Sequence, residues 1–159
     1  MTTLENEIDF SDAETFKSPS DGNHKAYLQR VEFGLNQAGT REQWMLTFQI
    51  APDDPDSPNA QLRYWLGWPD VDDKEIMWGN RSAFGAKVQA IKECLTAFGG
   101  QESGKMTKDG ISAFLSSKEG QAVMVKVKNT LRKAREGEEL DPEDPANIMA
   151  NIQKITPAT

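Results

Sequence analysis

The chain has few of the residue types on which most catalysis and metal binding depend. Its 159 residues include one cysteine, Cys94, and one histidine, His24. A single thiol excludes an internal disulfide, and a single imidazole removes most zinc sites and nucleophile-base pairs. No apolar run approaches the roughly 18 residues of a membrane span, and the start MTTLENEIDF is acidic where a signal peptide is basic and then apolar. These absences predict a cytoplasmic protein with no membrane segment. Paired acids such as Asp53-Asp54 and Asp72-Asp73 fall in polar or proline-rich stretches, without a neighbouring histidine or a phosphate-cradling glycine loop. A carboxylate-held Mg2+ nuclease site is the residual enzymatic reading. The stretch DDPDSPN lacks the spacing and the glycine of a helix-loop-helix calcium site. The expectation is therefore no enzyme, no metal and no cofactor.

Charge is plentiful but unevenly spread. The net charge is -7. Four blocks, residues 1–16, 53–56, 70–75 and 136–144, hold 18 of the 25 acids and one of the 18 bases. The remaining body carries 7 acids and 17 bases, a net +10. A basic body with acidic appendages suits a polyanionic partner, whereas acids spread evenly would repel one.

Hydrophobic periodicity orders the body. Residues 1–23 read as a flexible acidic lead-in ending in the turn residues SPSDGN, and a single domain follows over 24–157. HKAYLQRVEF alternates as a first strand, with Tyr27, Val31 and Phe33 set against Leu28 and Arg30. WMLTFQI places Trp44, Leu46, Phe48 and Ile50 on one face of a second strand. After the proline-rich APDDPDSPN, QLRYWLGW alternates as a third, with Leu62, Tyr64 and Leu66 inward and Arg63 and Trp65 outward. From Ser82, an N-cap, the period becomes helical: Phe84, Val88, Ile91, Leu95 and Phe98 predict a helix over 83–98 stopped by Gly99-Gly100. A shorter helix is predicted over Lys108 to Ser117. QAVMVKVKNT alternates Val123, Val125 and Val127 with Met124, Lys126 and Lys128. The acidic loop 136–144 leads to a fifth strand, ANIMANIQKI, with Ile148 and Ile152 on one face and Met149 and Ile155 on the other.

Three strands, a helix and two strands is the element order of an OB-fold. The fold class expected is mainly β: an OB-fold-like five-stranded antiparallel barrel with a helix between strands three and four. An open sheet with a helix on one face satisfies the same order, but closure removes most exposed edge.

The stretch QLRYWLGWPDV concentrates aromatics and an arginine in an acidic chain. Binding a single-stranded nucleic acid needs cations along phosphates and flat side chains under bases. The candidate DNA-binding residues are Arg30, Arg63, Trp65, Lys126 and Lys128 on outward strand faces, Arg41 on the first hairpin, Trp68 at the end of strand three, and Arg132, Lys133 and Arg135 after strand four. Trp44 belongs to the core, and Trp78 is assigned no function.

The stretches IDFSDAETF, GNHKAYLQRVEFGLNQAGTREQWMLTFQI, SAFGAKVQAIKECLTAFGG, GQAVMVKVKNT and NIMANIQKITP, in this order, resemble a family of small bacteriophage OB-fold single-stranded-DNA-binding proteins encoded beside replication or recombination genes. That resemblance implies a viral protein working in the host cytoplasm on single-stranded DNA, with phage or host replication and recombination proteins as partners. The chain ends QKITPAT rather than in an acidic tail with an apolar tip, which shifts the expected recruiting element to loop 136–144. Oligomeric state stays open, a homo-oligomer included. The rival reading is an acidic protein-binding module or DNA mimic that occupies a host enzyme.

Overall fold

In chain order the elements are β1 (Gly22–Leu35), β2 (Glu42–Ile50), β3 (Gln61–Gly67), a one-turn 3-10 helix (Val71–Lys74), β4 (Met77–Trp78), β5 (Arg81–Ser82), α1 (Ala83–Ala97), α2 (Lys108–Ser117), β6 (Ala122–Leu131) and β7 (Ile148–Pro157). They are seen in a computed structural model that describes residues 19–100, 104–143 and 147–158. The chain is mainly β. Five strands form one antiparallel sheet in the order β3-β2-β1-β6-β7, and β4 pairs with β5 as a separate small hairpin. The two edges of the large sheet, β3 and β7, curl toward each other until Cα atoms on the two strands come within 8 Å.

The alternation of β2 does what its pattern demands. Trp44, Leu46, Phe48 and Ile50 are fully buried, and they face Leu62 and Leu66 of β3 and Val123, Val125 and Val127 of β6 in one core. Each such side chain withdrawn from water contributes about 1.5–3 kcal/mol. Trp44 satisfies its one polar atom by donating from Nε1 to Ser112 Oγ of α2 at 2.8 Å.

Two strands break strict alternation, and both breaks correct the sequence expectation. In β1 the core side chains are His24, Ala26 and Leu28, with Tyr27 outward of them. The register then skips Gln29, pairing Leu28 with Phe48 and Arg30 with Thr47. This β-bulge flips the phase, so Leu28 and Val31 share the inner face although three residues apart. In β7 the skipped residue is Gln153: Val127 pairs with Ile152 and Lys126 with Lys154. Ile155 is consequently buried on the same face as Ile152, not opposite it.

Ser82 caps α1, its Oγ accepting from the Gly85 amide at 3.0 Å. The helix ends where Gly99 takes φ +80 and the Gly100 amide donates to the Leu95 carbonyl at 2.7 Å. Gly100 has no room for a side chain, since a Cβ there would lie 2.8 Å from the Leu95 oxygen and 2.7 Å from Phe114 Cζ. The second half of α1 packs as expected through Ile91, Leu95 and Phe98, joined by Cys94 and Ala97, with the Phe98 ring stacked on Phe48. The first half does not. Val88 is 44 % exposed and Phe84 half-buried, because Lys87 is drawn to Asp73 at 2.9 Å and the next residue points about 100° away. Burial raises the Cys94 thiol to about 12, which leaves it an inert core group.

Residues 1–18 of the expected lead-in, and residue 144 of the expected acidic loop, lie outside the described residues. The sheet takes in the end of that lead-in: β1 starts at Gly22, and Asp21 Oδ1 accepts from the Asn129 amide at 2.7 Å. Among the described residues no helix is long and apolar enough to cross a membrane.

Candidate nucleic-acid interface

Directly opposed residues of neighbouring antiparallel strands share a face, so the ladders place every outward side chain. One row runs Arg30, Thr47, Arg63 across β1, β2 and β3, and the next runs Glu32, Met45, Trp65. Asn23, Lys126 and Lys154 form a third row across β1, β6 and β7, with Lys128 opposite Asn151. The part of β7 that faces β3 is Met149 to Ile152, while Lys154, farther along β7, lies beside Gln89, Lys92 and Glu93 of α1 on the same outward sheet face. Between those strands lies a cleft of about 550 Å³, with Arg63 and Trp65 on one wall and Met149 and Asn151 on the other. Trp65 is 53 % exposed there.

Four of the sequence candidates are thus brought to one surface: Arg63, Trp65, Lys126 and Lys128. None of the three cations forms an ion pair with a described residue, and neither does Lys154. Like charges held directly opposite repel by a few tenths of a kcal/mol or more. Lys126 against Lys154 is such a pair, and an incoming anion relieves it. The sequence reading missed Lys154 because counting in twos from Ile152 sends it into the core; the Gln153 bulge turns it out.

Of the remaining candidates, Arg30, Arg41, Trp68 and Arg132 are otherwise engaged. Arg30 is exposed on the outward face and ion-paired to Glu32. Arg41 reaches back to the 3-10 turn, 3.0 Å from Asp70 and 3.7 Å from Asp73. Asp73 is buried, and it accepts from Lys87 Nζ at 2.9 Å and from the Asp70 amide at 2.8 Å. The Lys87 hydrogen bond, with the Asp70 amide and the Arg41 charge, holds its carboxyl below the usual range despite burial. This cluster pins the first hairpin and the 3-10 turn to α1. Trp68 meets Trp44 edge-on at 5.7 Å and packs on the core, with Lys108 over its ring, so it closes the end of the sheet.

Beyond β6, Arg132 is gripped by the acidic loop. Its two terminal nitrogens donate to the Glu138 carboxylate at 2.9 and 3.1 Å, and Nε donates to Asn147 Oδ1 at 3.1 Å. The Arg132 hydrogen bond, with the Arg135 amide, takes the Glu138 carboxyl down to about 2. Lys133 and Arg135 are exposed beside this pair.

On β1, opposite Val125 of β6, His24 is buried against the loop after β2. Its Nδ1 lies 2.7 Å from Asp54 Oδ2 and its Nε2 2.7 Å from the Ser20 carbonyl oxygen. Both partners are acceptors, and one imidazole satisfies both only with a proton on each nitrogen. Burial works against that charge, but the Asp54 and Ser20 hydrogen bonds outweigh it and raise the His24 pKa. Asp54 also accepts from the Asp56 and Ser57 amides at 2.9 Å, so this carboxylate is occupied within its own loop.

Trp78 stands 54 % exposed on β4, with Lys87 over its ring rather than the sheet beneath it. Val71, Ile76 and Met77 are exposed around it, in the segment that carries Asp70, Asp72 and Glu75. No protein-family model matches the chain, and no curated protein matches it in sequence.

Proposed function

We propose that this protein binds single-stranded DNA without sequence preference, in phage DNA replication or recombination, through the outward face shared by β3, β7 and β6. The observation that carries the reading is the opposed pair Lys126 and Lys154, neither ion-paired to a described residue, on the same outward sheet face as the exposed ring of Trp65. Lys126, Lys128, Lys154 and Arg63 meet phosphates, and Trp65 stacks a base. The fold we read is a partly open five-stranded OB barrel, parted between β3 and β7 and covered by α1 and α2. The element order, the approach of the two sheet edges and the resemblance of the chain to small phage single-strand-binding proteins support it. Arg41 and Trp68 are left out of the interface, and Arg132 joins it only on release from Glu138. Replication or recombination proteins would be the protein partners, and the setting the host cytoplasm.

Fluorescence titration with oligothymidine at several salt concentrations tests the reading. Trp65→Ala is expected to weaken binding by about 1–3 kcal/mol with the salt slope unchanged, because stacking neutralises no phosphate. Lys126→Ala is expected to lower the log-log salt slope by about 0.7, one phosphate contact on a single strand. Affinity indifferent to both, in variants that stay folded, removes the site.

A second reading is favoured by the other exposed cluster. Val71, Ile76, Met77 and Trp78 stand out of an acidic segment, the composition of a patch for a basic protein partner. Under it the chain is an acidic protein-binding module or DNA mimic, and oligothymidine does not bind at any salt.

A further inference from the structure

We infer that the cleft between β3 and β7 takes up one nucleobase of the bound strand, held flat between the Trp65 indole and the Met149 side chain. This rests on the single-stranded-DNA reading and adds to it a discrete subsite, set into the gap rather than spread over the open face. Spacing decides what the gap admits. A further β-strand pairing with both edges needs two spacings of about 4.8 Å, or about 9.6 Å in all, and the Cα atoms of β3 and β7 come within 8 Å. A base stacked on both faces needs two spacings of about 3.4 Å, or about 6.8 Å in all. The volume of about 550 Å³ lies inside the range of about 300–1,000 Å³ that small-molecule sites occupy.

The chemistry of the walls fits a base as well. Trp65 offers its π face, and the polarizable Met149 sulfur makes favourable contacts with aromatic rings. Both side chains are about half exposed, so each gains buried area when a ring lies between them. Asn151 is fixed by donating from Nδ2 to Thr130 Oγ1 at 2.9 Å, which leaves its Oδ1 to accept from a base N–H or amino group. Arg63, beside Trp65 on the same wall, is placed for the adjoining phosphate.

Two measurements on the full chain test the inference. The first is photocrosslinking to oligothymidine carrying 5-iododeoxyuridine, with the attachment sites mapped by mass spectrometry. Crosslinks are expected at both Trp65 and Met149. The second is affinity: Met149→Ala is expected to weaken binding about fivefold or more at an unchanged salt slope, and Met149→Leu, which keeps the wall, to stay within about twofold of wild type. Crosslinks at Trp65 but none on β7, with Met149→Ala binding as wild type does, would overturn the cleft subsite while open-face stacking stands. Wild-type protein that binds no oligothymidine overturns both.

Discussion

Lys126 and Lys154 lie directly opposite one another on the outward face of β6 and β7, with no described carboxylate paired to either. A cross-strand pair of this kind costs the fold what it offers a polyanion. Lys154→Glu turns the repulsion into attraction and is expected to stabilise the free protein by about 0.2–1 kcal/mol. The same substitution is expected to weaken oligothymidine binding and lower its salt slope. Chemical denaturation and a salt series measure the two effects; a variant that gains stability and binds as before would place the DNA elsewhere.

The acidic loop holds Arg132 through two hydrogen bonds to Glu138, and that contact competes with phosphate for the same guanidinium. Glu138→Gln is expected to tighten oligothymidine binding at low salt, with the gain shrinking as salt rises and screening weakens the competition. The pair is solvent-exposed, so stability should change little. Weaker binding in the variant would show that the carboxylate orients Arg132 for DNA instead of withholding it.

His24 predicts a pH dependence on both sides of neutrality. Its pKa is raised in the folded protein above the ordinary 6.5, so its contribution is complete below about 6.5 and lost as pH rises through the folded value. Asp54 runs the other way. Burial pushes its carboxyl up, but the His24, Ser57 and Asp56 hydrogen bonds take it below its ordinary 3.8. Its contribution is present above about 3.8 and lost as pH falls through the lower folded value. Thermal melts of wild type should therefore lose ground above pH 6.5 relative to His24→Gln. Parallel curves for the two proteins would mean that folding leaves the His24 pKa unchanged, and a wild type that gains ground above pH 6.5 would mean His24 is neutral in the fold.

Asp73 is the buried anchor of the segment between β3 and α1, facing Lys87, Arg41 and the Asp70 amide. Asp73→Ala strands Lys87 in a mostly buried position and is expected to cost about 3 kcal/mol. Removing both partners, in Asp73→Ala with Lys87→Met, should recover a good part of that loss. A double variant as unstable as the single one would locate the cost in the cap of the 3-10 turn rather than in the charge.

What the sequence determined on its own is the part written in unbroken local periods. β2, β3 and β6 alternate without interruption, so Trp44 and Phe48 went inward and Arg63, Trp65, Lys126 and Lys128 outward by counting alone. The ends of α1 were legible too, since Ser82 and Gly99 act through neighbours a few residues away. The small β4–β5 hairpin left no such trace, because its two-residue strands are too short to carry a period.

The tertiary structure decided everything that depends on which distant strand lies alongside. The bulges at Gln29 and Gln153 are properties of a pairing register, invisible in either strand alone, and they sent Leu28 and Ile155 inward and Lys154 outward. Charge partnership is likewise a matter of packing. Arg41 and Arg132 look in the sequence like Arg63, yet Asp73 and Glu138 neutralise the first two, while Arg63 faces an open cleft. That cleft exists because a twisted five-stranded sheet brings β3 and β7 together in space, although 80 residues separate Gly67 from Ile148 along the chain.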